Sequence, residues 1–123
     1  MSGPIPKPRK RKRPARRNYQ EQADKLFSQH IRNRDQRCQN CGTFDRLQCA
    51  HLISRSYKSI RTDEENAVAL CSSCHTYFTH RPLEWLEWIE VEFPGRYERL
   101  RVKALAYSSV DWKGEVGRLK GDQ

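Results

Sequence analysis

Cys38-x-x-Cys41 is followed, after 29 intervening residues, by Cys71-x-x-Cys74. Few features restrict a fold as much, because two knuckles of this spacing can bring four sulfurs tetrahedrally around one zinc ion, each at ~2.3 Å. Four unrelated thiols would need the same spacing twice by coincidence. With all four positions taken by protein, the expected Zn²⁺ is structural, and its binding energy is largely folding energy. A chain of 123 residues with 36% hydrophobic and 32% charged residues needs such a staple, since its core is small. No hydrophobic signal segment opens the sequence, so the thiols are expected to be reduced and the location cytoplasmic. The fifth cysteine, Cys49, falls in a strand-like run, where a small buried hydrophobe is the ordinary reading.

The net charge of +9 is concentrated at one end. Residues 1–17 hold eight of the 24 Lys and Arg and no acid, which leaves 16 basic against 15 acidic groups, or +1, over residues 18–123. Pro4, Pro6, Pro8 and Pro14 remove backbone donors from this segment, and it has almost nothing to bury. A disordered basic arm over residues 1–17 is therefore expected, with Lys10, Arg11, Lys12 and Arg13 as candidate contacts to the phosphates of a nucleic acid. The bland alternative is an arm that only aids solubility or targeting. No run approaches the roughly 20 apolar residues of a membrane helix, so no membrane partner is expected.

From Asn18 the residues Tyr19, Ala23, Leu26, Phe27 and Ile31 recur at three- and four-residue spacing, which predicts an amphipathic helix to about Arg34. Gly42 completes the first knuckle, a tight turn in which glycine permits a positive φ. Residues 47–53 and 67–71 read as partner strands around a polar loop. Helices are expected from Cys74 to about Thr79 with Ser72 and Ser73 as cap candidates, from Leu83 to Phe93 after Pro82, and from Arg96 to Tyr107 burying Tyr97, Leu100 and Leu105. Trp85 and Trp88 fall at helical spacing, which favours core packing over base stacking. Residues 108–123, with Gly114, Gly117 and Gly121, read as a flexible tail. The expected architecture is α+β: a zinc-stapled ββα core with an N-terminal helix and two C-terminal helices in one domain, residues 18–107.

His51 lies near the end of the first strand-like run, Asn66 opens the second, and His75 directly follows the last cysteine. Phosphodiester hydrolysis needs a base for water, a cation for the developing charge and a scaffold that fixes both. Histidine suits the first task, with an unperturbed pKa of ~6.5. Asn66 has the side chain to lock a loop onto its backbone. Taken singly, each has an ordinary reading: a satisfied strand histidine, a turn asparagine, an alternative zinc ligand. The conjunction is what carries information.

The runs Cys38-Gln-Asn-Cys41-Gly42, Cys49-Ala-His51-Leu-Ile53 and Glu65-Asn66-Ala-Val-Ala-Leu-Cys71-Ser-Ser-Cys74-His75 resemble the HNH, or ββα-metal, nuclease family, in its zinc-knuckle branch. The continuation through His80, Pro82, Trp85, Trp88, Pro94 and Tyr97-Glu-Arg-Leu100 is similar to small phage HNH proteins related to the NinG/Rap recombination group, which would place the protein in a host cytoplasm. The resemblance implies a DNA endonuclease with His51 as general base, Asn66 holding the loop and His75 binding a catalytic Mg²⁺ or Mn²⁺, leaving 5′-phosphate and 3′-hydroxyl ends. One departure is Ala50, where many family members carry an Asp or His metal ligand. His80, five residues beyond His75, is a second candidate ligand, and Arg55 and Lys58 are candidates to hold the scissile phosphate. The expected partner is DNA, with no small-molecule cofactor, and no heptad or self-complementary surface fixes an oligomeric state. The competing classes are a catalytically decayed zinc-knuckle DNA-binding module, favoured by Ala50, and an assembly adaptor using the tryptophan helix.

Overall fold

The computed structural model describes residues 15–106 and 108–121, with side chains from Asn18 onward. The first helix, α1 (Ala15–Asp35), precedes a two-stranded antiparallel sheet of β1 (Leu47–His51) and β2 (Ala67–Cys71). Four more helices follow among the described residues: α2 (Ser72–Thr79), α3 (Pro82–Glu92), α4 (Arg96–Leu105) and α5 (Trp112–Gly121). The fold class is α+β, and β1, β2 and α2 form a ββα unit. Its register runs from Leu47 opposite Cys71 to His51 opposite Ala67, so the strand ends that carry cysteine and histidine lie at opposite ends of the hairpin.

The apolar run of β2 is buried at every position, because both faces of the sheet are covered. Val68 and Leu70 face a cluster with Ala50, Leu52, Ile60, Phe78, Ile89 and Leu100. Ala67 faces a second cluster built from Ala23, Phe27 and Ile31 of α1 with Trp112, Val116 and Leu119 of α5. The outer edge of β2 is also closed. Arg34 Nη2 donates to Ala67 O at 2.8 Å, Asp35 Oδ2 accepts from Ala69 N at 2.8 Å, and Gln39 N donates to Ala69 O at 2.9 Å. The C-terminus of α1 and the first knuckle thus supply the partners that an edge strand otherwise lacks.

Several expectations need correction. Within the expected tail of residues 108–123, the described residues include a helix, α5 (Trp112–Gly121), that packs on α1. Its stabilising signal is Trp112, Val116 and Leu119 on one face, with Asp111 Oδ1 accepting from Gly114 N at 3.1 Å as a cap. Among the described residues the ββα core is therefore followed by three helices rather than two. Residues 15–17, assigned to the arm, open α1, since Ala and Arg are good helix formers; residues 1–14, with Lys10, Arg11, Lys12 and Arg13, lie outside the described residues, as does Tyr107. Strand β1 ends at His51 because the side chain of Asn66 takes over the backbone of Ile53. The cap of α2 is Cys71, whose Sγ accepts from Cys74 N, in place of Ser72 or Ser73. Leu105 is 63% exposed, because α4 turns Tyr97, Leu100 and Ala104 inward.

Candidate functional site

The hairpin and the knuckle bring four sulfurs together. Sγ atoms of Cys38, Cys41, Cys71 and Cys74 all lie within 4.8 Å of one another, and no other cluster of three or more His, Cys, Asp or Glu donors occurs among the described residues. Tetrahedral zinc with ~2.3 Å bonds requires sulfurs about 3.8 Å apart; Cys41 Sγ and Cys71 Sγ are at 3.7 Å. Gly42 has φ 81° and donates to Cys38 O at 2.9 Å, which closes the first knuckle. Cys41 N donates to Cys38 Sγ and Cys74 N to Cys71 Sγ, both at 3.4 Å, and Asn40 Nδ2 donates to Cys74 Sγ at 3.3 Å. Burial pushes the Cys38 thiol up, but backbone hydrogen bonds from Cys41, Cys71 and Asn40 outweigh it and lower its pKa, whereas burial raises that of Cys74. The donor set fits a metal ion, and four thiolates suit zinc. Cys49 stands apart in the α1 cluster, its thiol pushed up to about 12 by burial.

Along β1 runs a cleft of ≈ 830 Å³ bounded by α1, β1, the loop after it and α2, and His51 and His75 both line it. A smaller hollow of ≈ 70 Å³, floored by Leu70, Phe78 and Trp85, also touches both histidines. The His51 ring packs against Phe27, with centroids 5.6 Å apart. Its Nε2 lies 2.9 Å from the carbonyl oxygen of Arg61. A carbonyl only accepts, so Nε2 carries the proton and Nδ1 keeps its lone pair. Burial holds the His51 pKa below the usual value, the Arg61 carbonyl opposing and the Arg55 charge adding to it. The His75 pKa is likewise lowered by burial. His75 Nδ1 donates to Gln48 Oε1 at 2.7 Å, which leaves Nε2 as a donor for a metal.

Asn66 is fully buried under the loop between the strands. Its Oδ1 accepts from Ile53 N at 2.8 Å, and Nδ2 donates to Ile53 O at 3.0 Å and Ile60 O at 3.1 Å. One side chain therefore ties both halves of the loop that carries Arg55 and Arg61. Arg55 lines the cleft, whereas Lys58 lines hollows on the far side of that loop. His80 is an exposed cap residue at the end of α2 and does not line the cleft; five residues from His75 it lies past the helical repeat, and Thr79 takes the cleft position. Ala50 is buried in the core beside Leu52 and Val68 and contributes nothing to the cleft.

Sequence reasoning missed four participants. Gln48 orients His75, and the Arg61 carbonyl orients His51. Asp24 of α1 holds Arg61 through Oδ1 at 2.8 Å and Oδ2 at 2.6 Å, and Arg32, also of α1, lines the cleft wall. The cue for the last two was their spacing from Phe27 and Ser28 on the sheet-facing side of α1. Trp85 and Trp88 are half-buried and pack against the core rather than forming an open platform: they stack on each other at 5.2 Å, and Phe78 touches both.

A metal-ready α+β domain with a two-histidine cleft is thus the class of structure that residues 15–121 define. Residues 38–81 match the family model described as HNH endonuclease. The match runs from the first clustered cysteine to just beyond His80 and includes His51, Asn66 and His75. No curated protein and no solved structure matches the chain, so the likeness to small phage proteins has no counterpart there. No helix among the described residues is long and apolar enough to cross a membrane.

Proposed function

We propose that the chain is a metal-dependent HNH endonuclease that hydrolyses DNA phosphodiester bonds, with His51 as general base, Asn66 as loop lock and His75 as ligand of the catalytic cation. The observation that supports this best is the pairing of His51 and His75 in one cleft, each with one ring nitrogen committed to a fixed oxygen and the other left for chemistry. His51 Nδ1 accepts the proton of the attacking water, and the imidazolium that forms is stabilised by the Arg61 carbonyl. Arg55, which makes no side-chain ion pair among the described residues, supplies a cation for the scissile phosphate. A Mg²⁺ or Mn²⁺ bound at His75 Nε2 would neutralise charge developing on phosphorus and on the departing 3′ oxygen.

The protein gives that cation few ligands. Asp24, the acid lining the cleft, has both oxygens on Arg61, and Ala50 offers none. Water and DNA phosphate must fill the remaining positions, so affinity for free metal is weak. The same observation favours the second reading, a decayed module that binds DNA through the basic arm without cutting it. Cleavage of supercoiled plasmid with added Mg²⁺ or Mn²⁺ separates them, using wild type and His51→Ala proteins that both retain one zinc. Nicking by the wild type alone supports the nuclease. An inert but zinc-loaded wild type that still binds DNA favours the module.

A further inference from the structure

Beyond the two histidines the cleft continues along α1. Arg32 and Leu47 line it, and both also line a neighbouring hollow with Asn33, Gln36 and Phe44, so the two form one track. Phe44 sits in the segment after the first knuckle and is 64% exposed as a residue, and the guanidinium of Arg37 lies 4.7 Å from its ring centroid. A single exposed aromatic is ordinary on a protein surface. This one has arginine on its ring, Arg32 beside it with no ion pair among the described residues, and direct continuity with the proposed catalytic cleft. Cationic groups follow a phosphate chain, while an open aromatic face takes a base that is not already stacked inside a duplex.

We infer that Phe44, with Arg37 and Arg32, forms a stacking site for an unpaired nucleotide next to the cleavage site, so that the preferred substrate carries single-stranded DNA. This rests on the nuclease reading for its meaning, but its binding chemistry stands on the track itself. Paired bases offer no free face, so Phe44 distinguishes strand state, whereas Arg32, facing phosphate, does not.

The test is fluorescence anisotropy with the full zinc-loaded chain carrying His51→Ala, so that nothing is cut, and a labelled oligonucleotide either single-stranded or annealed to its complement, at one salt concentration. Phe44→Ala is expected to weaken single-strand binding roughly tenfold and duplex binding less than twofold. Phe44→Trp should restore the single-strand affinity, which a mere packing defect would not allow. Arg32→Ala should weaken both. Equal losses on the two substrates with Phe44→Ala, or no loss on either, would overturn the inference. Failure of the nuclease reading is read separately, in the plasmid assay: a wild type that does not nick but shows the Phe44 discrimination loses only its catalytic assignment.

Discussion

The ring of His51 and the backbone carbonyl of Arg61 meet at 2.9 Å, ten residues apart across the loop that Asn66 locks. The carbonyl is itself fixed from two sides. Asp24 of α1 grips the Arg61 side chain, and on α5 Glu115 accepts from Thr62 Oγ1 at 2.6 Å while Arg118 donates to Thr62 O at 3.0 Å. The tautomer of the proposed base is therefore set by elements outside the ββα unit.

The pH dependence follows from the burial of His51. Its pKa lies below the usual value of ~6.5, so the neutral, base-competent form persists to lower pH than in an exposed histidine. The acid limb of kcat/KM against pH should have slope one and a midpoint below ~6.5. The Arg55 charge contributes to the lowering, so Arg55→Ala should move the limb toward neutral pH while weakening substrate binding. A limb that stays put in Arg55→Ala counts against His51 as the titrating base.

Asp24→Asn tests the clamp. It removes a charged partner with side-chain exposures of 15% for Arg61 and 21% for Asp24, and should destabilise the fold by about 2 kcal/mol in urea titration. The negative charge of Asp24 also raises the His51 pKa against the burial effect, so its loss should shift the acid limb lower still. The expected signature is a fall in kcat with KM nearly unchanged. A purely structural role predicts lost stability with no movement of the pH profile.

Metal removal should act on folding before it acts on chemistry. The four thiols carry their donors at zinc-compatible spacing, and structural zinc contributes on the order of 10 kcal/mol in zinc-finger peptides. A strong chelator should release one zinc per chain, measured with a colorimetric zinc indicator, and abolish the cooperative thermal transition followed by circular dichroism. Cys49→Ala should leave the zinc content intact, because Cys49 lies outside the cluster. A chelated protein that keeps its transition would remove the staple from the account.

Much of this fold was legible because its signals are local. Repeated Cys-x-x-Cys spacing, the apolar run of β2 and Pro82 at the start of α3 each act through neighbours in sequence. That His51 and His75 line one cleft also followed from a strand end and a helix start flanking one hairpin. What stayed hidden acts at a distance or through the backbone. No side-chain pattern marks the Arg61 carbonyl as an acceptor, and Asp24 joins the site only because α1 crosses the sheet. Helix α5 was obscured by its three glycines, each a local cost that burial of Trp112, Val116 and Leu119 against α1 outweighs.

Those glycines make a sharp test of α5 as a structural element. A Cβ at Gly117 meets nothing within 4 Å, and its backbone is not in the positive-φ region. Gly117→Ala should therefore stabilise the protein by about 0.5–1 kcal/mol, by reducing the freedom of the unfolded chain. Gly114 differs: a Cβ there would stand 2.5 Å from Asp111 Oδ2, in the cap that accepts the Gly114 amide. Gly114→Ala must displace the cap, which is worth about 1 kcal/mol, and should gain nothing or lose stability. Leu119→Ala, at a fully buried position, should cost about 2–5 kcal/mol. Urea titration of the three variants reads all of this. Were residues 112–121 a loose tail, all three would coincide with the wild type; a spread in the predicted order instead shows that α5 holds α1, and through Thr62 the loop that aims His51, in place.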